Sequence, residues 1–227
     1  MPHVNLTEII SKMKLENLTP EVEVKGIKIT QPDINRPALQ LAGYFEHHEP
    51  TRVQIIGFVE YSYMEAGHED LTEELEAAGA VVLNYQSIDI DVKGNQIRLG
   101  GLYEYGFETG MQSEEENERA IPYLEEYADT DRYLIMCAHR PESFYPWDMA
   151  DQWGIDLVLS GHLHGGQVII PGVGGLYNSL DGFFPKFDYG QYKLGDSDMV
   201  ITRGLGSNPK MLPRFNNPPE IAVVEVE

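Results

Sequence analysis

The stretch Leu157-Val158-Leu159-Ser160-Gly161-His162-Leu163-His164-Gly165-Gly166-Gln167 decides how the chain is read. Four apolar or small residues run into Gly161, which is the pattern of a short buried strand. The residues just past the carboxyl end of such a strand are where α/β folds place their chemistry. His162 and His164 stand two residues apart in an extended turn on that edge, so both imidazoles can face one small volume. Neutral imidazole is the commonest nitrogen ligand of transition metals, and Gly165 and Gly166 let the backbone approach an ion or anion without a Cβ in the way. A bare His-x-His also fits a glycine-rich turn whose imidazoles bond nearby carbonyls. The strand before it and the glycines after it favour the metal reading here.

Working outward, a second apolar run from Tyr133 to Cys137 leads into Ala138-His139-Arg140-Pro141-Glu142, a third imidazole at the end of a strand. Between these runs, Pro146 to Trp153 reads as a short helix ended by Gly154, and ahead of both Glu114 to Tyr127 reads as an acidic helix. Ser87 to Val92 and Gln96 to Leu99 alternate about Lys93-Gly94-Asn95, which reads as a β-hairpin. The pattern Leu71, Leu75, Ala78 is helical over 70–78, Gly79 caps it, and Ala80 to Asn84 reads as a strand. Gln167 to Ile170, Gln191 to Leu194, Met199 to Thr202 and Ile221 to Val226 are further strands, and Gly172 to Phe187 reads as a long loop over the site. At the front, residues 4–15 read as an amphipathic helix, Gly26 to Thr30 as a strand, Ala38 to Ala42 as a helix after Pro37, and Arg52 to Ile56 as a strand. His47 and His48, between Glu46 and Glu49 and ahead of Pro50, read as a solvated loop.

Composition bounds the function. The 227 residues suffice for one large domain or two small ones. Sixteen basic against 37 acidic residues give a formal charge of −21, which repels phosphate backbones and anionic lipid alike. Nucleic acid and membrane are therefore not expected as partners. The single Cys137 excludes an intrachain disulfide and points to a buried thiol in a reducing compartment. No apolar run or leader pattern suggests a membrane, so a cytoplasmic protein is expected.

Gly161-His162-Leu163-His164 and Ala138-His139-Arg140 resemble the last two histidine motifs of the calcineurin-like metallophosphoesterases. The tail Ile201-Thr202-Arg203-Gly204-Leu205-Gly206-Ser207 with Pro218-Pro219-Glu220-Ile221 is similar to that family's closing strands. This resemblance covers about Gly67 to Glu227. It implies His139, His162 and His164 as metal ligands, and His68, oriented by Glu69, as the catalytic histidine that assists the leaving group. The family's Asp-x-His and Gly-Asp-x-x-Asp motifs are absent, and its Gly-Asn-His motif survives only as Gly67-His68-Glu69. Two closely spaced cations need bridging carboxylates, so at most one zinc, manganese or iron ion is expected. An ion on three imidazoles plus water is a known catalytic arrangement.

A second resemblance covers about residues 4–65. Asp33-Ile34-Asn35-Arg36-Pro37, Leu41-Ala42-Gly43-Tyr44-Phe45 and Arg52-Val53-Gln54-Ile55-Ile56-Gly57 are similar to the N-terminal domain of HPr kinase/phosphorylase. The chain carries no Gly-x-x-x-x-Gly-Lys-Ser/Thr loop, without which kinase chemistry has no phosphate cradle. The expected organisation is two domains, 1–66 and 67–227, the front of one family joined to the back half of another. The expected fold is α/β: a small parallel N-terminal unit packed beside a mixed or antiparallel sheet with helices, half of a metallophosphoesterase sandwich. The expected function is a metal-dependent phosphoesterase-type hydrolase acting on a phosphoester substrate, weak or partner-dependent because its metal site is incomplete. The alternative is a non-catalytic regulatory or binding module. Oligomerisation is left open.

Overall fold

In this computed structural model the described residues are 22–24, 27–29, 76–77, 80–102, 114–178, 181–205, 214–224 and 226. The helices expected at 4–15 and 38–42, the strand at 52–56, His47, His48, and most of the helix at 70–78 lie outside them. In the front of the chain, β1 (Val22–Val24) and β2 (Ile27–Ile29) pair antiparallel. The strand expected at 26–30 is therefore present, but the described pair is antiparallel where parallel strands were expected.

Two compact units are formed. One comprises Thr51–Leu163 and Phe187–Thr202, the other Met1–Pro50, His164–Lys186 and Arg203–Glu227.

The first unit is built on a mixed sheet that, among the described residues, has six strands. These are β3 (Gln86–Val92), β4 (Asn95–Gly101), β5 (Tyr133–Cys137), β6 (Leu157–Ser160), β11 (Gly190–Leu194) and β12 (Ser197–Ile201), in the order β11-β12-β6-β5-β4-β3. The strands β4, β5, β6 and β12 run parallel, while β3 and β11 are antiparallel edges. The α/β class with a mixed sheet is thus as expected. The β3–β4 hairpin closes on Lys93 and Gly94, both at positive φ (51° and 86°). A two-residue turn with both central residues left-handed matches the twist of the strands it joins.

Helix α1 (Glu114–Ala128) connects β4 to β5. Ala120, Leu124 and Tyr127 recur on one face and are buried, while Glu118, Arg119, Glu125 and Glu126 are exposed. On β5 the pleat does the sorting: Leu134 and Met136 are buried and their neighbours half-buried. These residues, with Phe144, Val158 and Met199, form one apolar core.

Several expected elements differ. Residues 80–84 form no strand. β3 pairs with β4 from Gln86 opposite Gly101, and the next described residue, Leu102, donates its N–H to Cys137 O, so among the described residues the ladder does not extend to Ala80 to Asn84. The short helix expected over 146–153 is a 3-10 turn at Pro146–Asp148 followed by α2 (Met149–Gln152), broken where Asp148 takes φ 51°. The strand expected from Ile221 is absent through residue 224. Pro218 and Pro219 ahead of it have no N–H to donate, and Ile221, Val223 and Val224 bury no common face.

In the second unit the strand expected over 167–170 is present as β7 (Ile169–Ile170), and the region read as one long loop carries β8 (Gly174–Gly175), paired with β7, and β9 (Tyr177–Asn178), paired with β10 (Gly182–Phe183). Among the described residues no helix is long and apolar enough to cross a membrane.

Candidate functional site

In the first unit, the ladder between β5 and β6 continues past both strand ends. Ala138 N donates to Leu159 O at 3.0 Å, and Gly161 N donates to His139 O at 2.9 Å. These two bonds carry the loops after adjacent parallel strands side by side and so bring His139 and His162 together. Their ring centres stand 5.2 Å apart with the planes at 77°. His162 holds φ 65°, a left-handed conformation that non-glycine residues take at a cost of about 1–2 kcal/mol. The turn is kept because it is anchored on both sides: Leu163 is buried in the core, and Thr202 N donates to Ser160 O at 2.9 Å from β12. Behind His139, Arg140 Nε donates to Glu142 Oε1 at 2.5 Å, with both side chains nearly buried. Pro141–Ser143 form a 3-10 turn whose next residue, Phe144, is wholly buried. The imidazole pair therefore sits on a backbone fixed by the sheet and by core packing, not on a free loop.

In the second unit, His164 has a different neighbour. Its Nδ1 lies 3.1 Å from Arg214 Nη2. A guanidinium has no acceptor, so it donates and Nδ1 accepts. The same Nη2 also donates to Arg203 O and, at 3.3 Å, to Gly204 O, while Nη1 donates to Asn217 Oδ1 at 3.2 Å. Asn217 Nδ2 closes the circuit on His164 O at 2.6 Å and Gln167 O at 3.0 Å. Burial, with the Arg203 charge adding to it, pulls the Arg214 guanidinium down to about 10. Arg203 is held by Glu220 through Nε and Nη2 onto Oε2, a charge-assisted pair with both side chains mostly buried. Gly165, at φ 59°, leaves room for Arg203: a Cβ there would meet its Cγ at 2.8 Å.

Of the residues expected in the site, His139 and His162 are brought together. His164 lies in the other unit and gives its Nδ1 lone pair to Arg214, and His68 lies outside the described residues. Among the described residues no group of three or more His, Cys, Asp and Glu is arranged to hold a metal ion. Arg214, Asn217 and Glu220 were not anticipated. The signal for them is thin: Arg214 and Asn217 stand in the Pro-Arg-Phe-Asn-Asn-Pro-Pro run, whose turn-forming composition gives no sign that it closes on His164. Cys137, expected to be buried, is half-buried, and burial raises its thiol to about 12, which disfavours the reactive thiolate.

Residues 4–78 match the family model described as the HPr serine kinase N terminus. The chain is 54% identical over 67 residues to the HPr kinase/phosphorylase of Lachnoclostridium phytofermentans, covering 30% of this chain and 22% of that protein. It is 38% identical over 61 residues to the same enzyme of Streptococcus uberis, covering 27% and 20%. It is also 38% identical over 64 residues to that of Streptococcus pneumoniae serotype 4, covering 28% and 20%. The chain spans about a fifth of the length of these curated relatives. No solved structure matches it.

The similarity expected for the front of the chain is present and runs on to residue 78. The reading of the chain as a calcineurin-like metallophosphoesterase hydrolase is overturned, because the relatives found are named HPr kinase/phosphorylase, a kinase/phosphorylase family. The physical reason the motifs misled is visible in the geometry. Among the described residues no carboxylate completes a group of three or more side chains able to hold a metal ion at the Gly-His-x-His run.

Proposed function

We propose that this chain is a regulatory or binding module without phosphoryl-transfer chemistry of its own, and that it takes up one divalent transition-metal ion on His139 and His162. The observation that carries this is the imidazole pair, with ring centres 5.2 Å apart at the carboxyl ends of two adjacent parallel strands. With metal–nitrogen bonds of about 2 Å and near-tetrahedral angles, two ligating imidazoles have ring centres about 5 Å apart, so the pair suits such an ion with little rearrangement. Imidazole donors favour zinc or iron over magnesium, with manganese the weakest of the expected transition ions. The ion would contribute charge and a polarised water at this sheet edge. The absent phosphate-binding loop supports the non-catalytic part of the reading. The similarity of residues 4–78 to the N terminus of HPr kinase/phosphorylases supports a partner in HPr phosphorylation.

The test is zinc, iron(II), manganese and magnesium titration of the full chain, read by elemental analysis after gel filtration. One equivalent of zinc is expected, lost in both His139→Ala and His162→Ala. No zinc retained at saturation, or retention unchanged in both variants, would sink the reading. His164→Ala decides the third expected ligand: a bound ion that survives it leaves His164 with Arg214, and one that is lost adds His164 to the set.

A further inference from the structure

In the first unit, a groove of about 400 Å³ lies between α1 and the segment that leads into β3. Tyr85 and Tyr123, both half-buried, form an aromatic wall with ring centres 6.0 Å apart, and the buried Tyr127 backs Tyr123 at 5.8 Å. Val81 and Leu83 supply apolar surface, and Glu126 is the charged residue among those lining it. The wall is built into the fold. Tyr123 and Tyr127 are one helical turn apart on α1, and Gly100 of β4 makes room for both: a Cβ there would stand 2.5 Å from Tyr123 Oη and from Tyr127 Cε2. Tyr123 Oη donates to Gln86 O at 2.8 Å and accepts from Gly101 N at 3.1 Å, which fixes that ring.

We infer that this groove binds a small organic ammonium ion, held between the half-exposed Tyr85 and Tyr123 rings and the Glu126 carboxylate. Aromatic faces attract a cation over their centres, more strongly as it is desolvated. A neutral apolar ligand would cover the carboxylate without compensating it, which is unfavourable, and an anion would meet Glu126 and the net charge of −21. A compact hydrated metal ion would find one carboxylate and no second anionic ligand among the lining residues. An alkylammonium satisfies all of these at once, because its charge is spread over apolar groups that suit Val81 and Leu83.

The experiment is an NMR titration of the full chain with three probes: tetramethylammonium chloride, 3,3-dimethylbutan-1-ol as a neutral body of the same shape, and sodium acetate. Tetramethylammonium is expected to bind saturably, the alcohol about tenfold more weakly, and acetate not at all. Glu126 is exposed on the helix, so Glu126→Gln should keep the circular dichroism of the parent while weakening tetramethylammonium about fivefold. Tyr85→Leu should weaken it by a similar factor. Absence of saturable tetramethylammonium binding, equal binding of the alcohol, or an unchanged Kd in Glu126→Gln would each overturn the assignment.

Discussion

His162 and His164 are separated by one residue, yet their surroundings are built by different forces. His162 sits where two parallel strands end over an apolar core, and its neighbour is another imidazole. His164 sits in a web of charge-assisted bonds around Arg214, and its neighbour is a guanidinium. The apolar scaffold sets two imidazoles side by side at the strand ends, whereas the arginine web uses the His164 lone pair. Proximity along the chain therefore says little about shared chemistry when the intervening residues change direction. Here they do so abruptly, since His162, His164, Gly165, Gly166 and Gln167 all take positive φ.

The largest effect expected from breaking this contrast is on the apolar side. Phe144 is wholly buried one residue beyond the 3-10 turn that follows His139. Phe144→Ala removes its packing and leaves a cavity, costing about 3–5 kcal/mol. Urea unfolding followed by tryptophan fluorescence should show the loss, and any zinc uptake should fall with it. A variant as stable as the parent would mean that core packing does not hold the His139 edge.

On the polar side the expected effect is smaller. Arg214→Met leaves Arg203 O, Gly204 O, Asn217 Oδ1 and His164 Nδ1 short of a donor. Losing such bonds at a mostly buried site costs about 1–3 kcal/mol. Hydrogen exchange should quicken around His164 to Gln167 and at Asn217 while the amides of β5 and β6 stay protected. Equal quickening in both places would show that the two regions are one cooperative piece, against the contrast drawn here.

Much of the sheet was legible in the sequence because its parallel strands are buried and nearly uniform in polarity. The runs 133–137 and 157–160 announce themselves, and the hairpin about Lys93-Gly94 carries its own turn signal. Pairing was less legible. Ala80 to Asn84 is as apolar as any strand in the chain but forms none, since the described β3–β4 pairing starts only at Gln86 opposite Gly101. Of the site, the imidazoles were legible as residue types, while the His139–His162 juxtaposition was implied only by the resemblance and rests in the structure on two adjacent parallel strands. The capture of His164 was not, because Arg214 lies fifty residues further on and its contact depends on closure by Asn217. A resemblance built on short histidine motifs was likewise a poor guide to function, while the longer run of residues 4–78 held.

The smallest effect concerns an ion pair that lacks the burial of Arg203 and Glu220. Asp89 on β3 accepts from Arg98 Nε at 2.8 Å and Nη2 at 3.2 Å, and Arg132 lies 3.2 Å from it, but the Asp89 side chain is 41% exposed. The hydrogen bond from Arg98, opposed by burial and aided by the two guanidinium charges, holds the carboxyl below the usual carboxylate range. A carboxylate with a depressed pKa stabilises the fold above its unfolded value, near pH 4, and loses that contribution as pH falls through the folded value. Asp89→Asn should therefore melt below the parent between pH 5 and about 8, and the two curves should converge as the buffer is taken below pH ~4. Solvent screening limits the gap to about 1 kcal/mol or less, a shift of a few degrees at most in a chain of this size. The gap should narrow further in ~1 M salt. If it instead persists undiminished below pH ~3, the side chain contributes through packing on β3 and not through its charge. The exposed pair would then no longer stand as the weak counterpart of the mostly buried one.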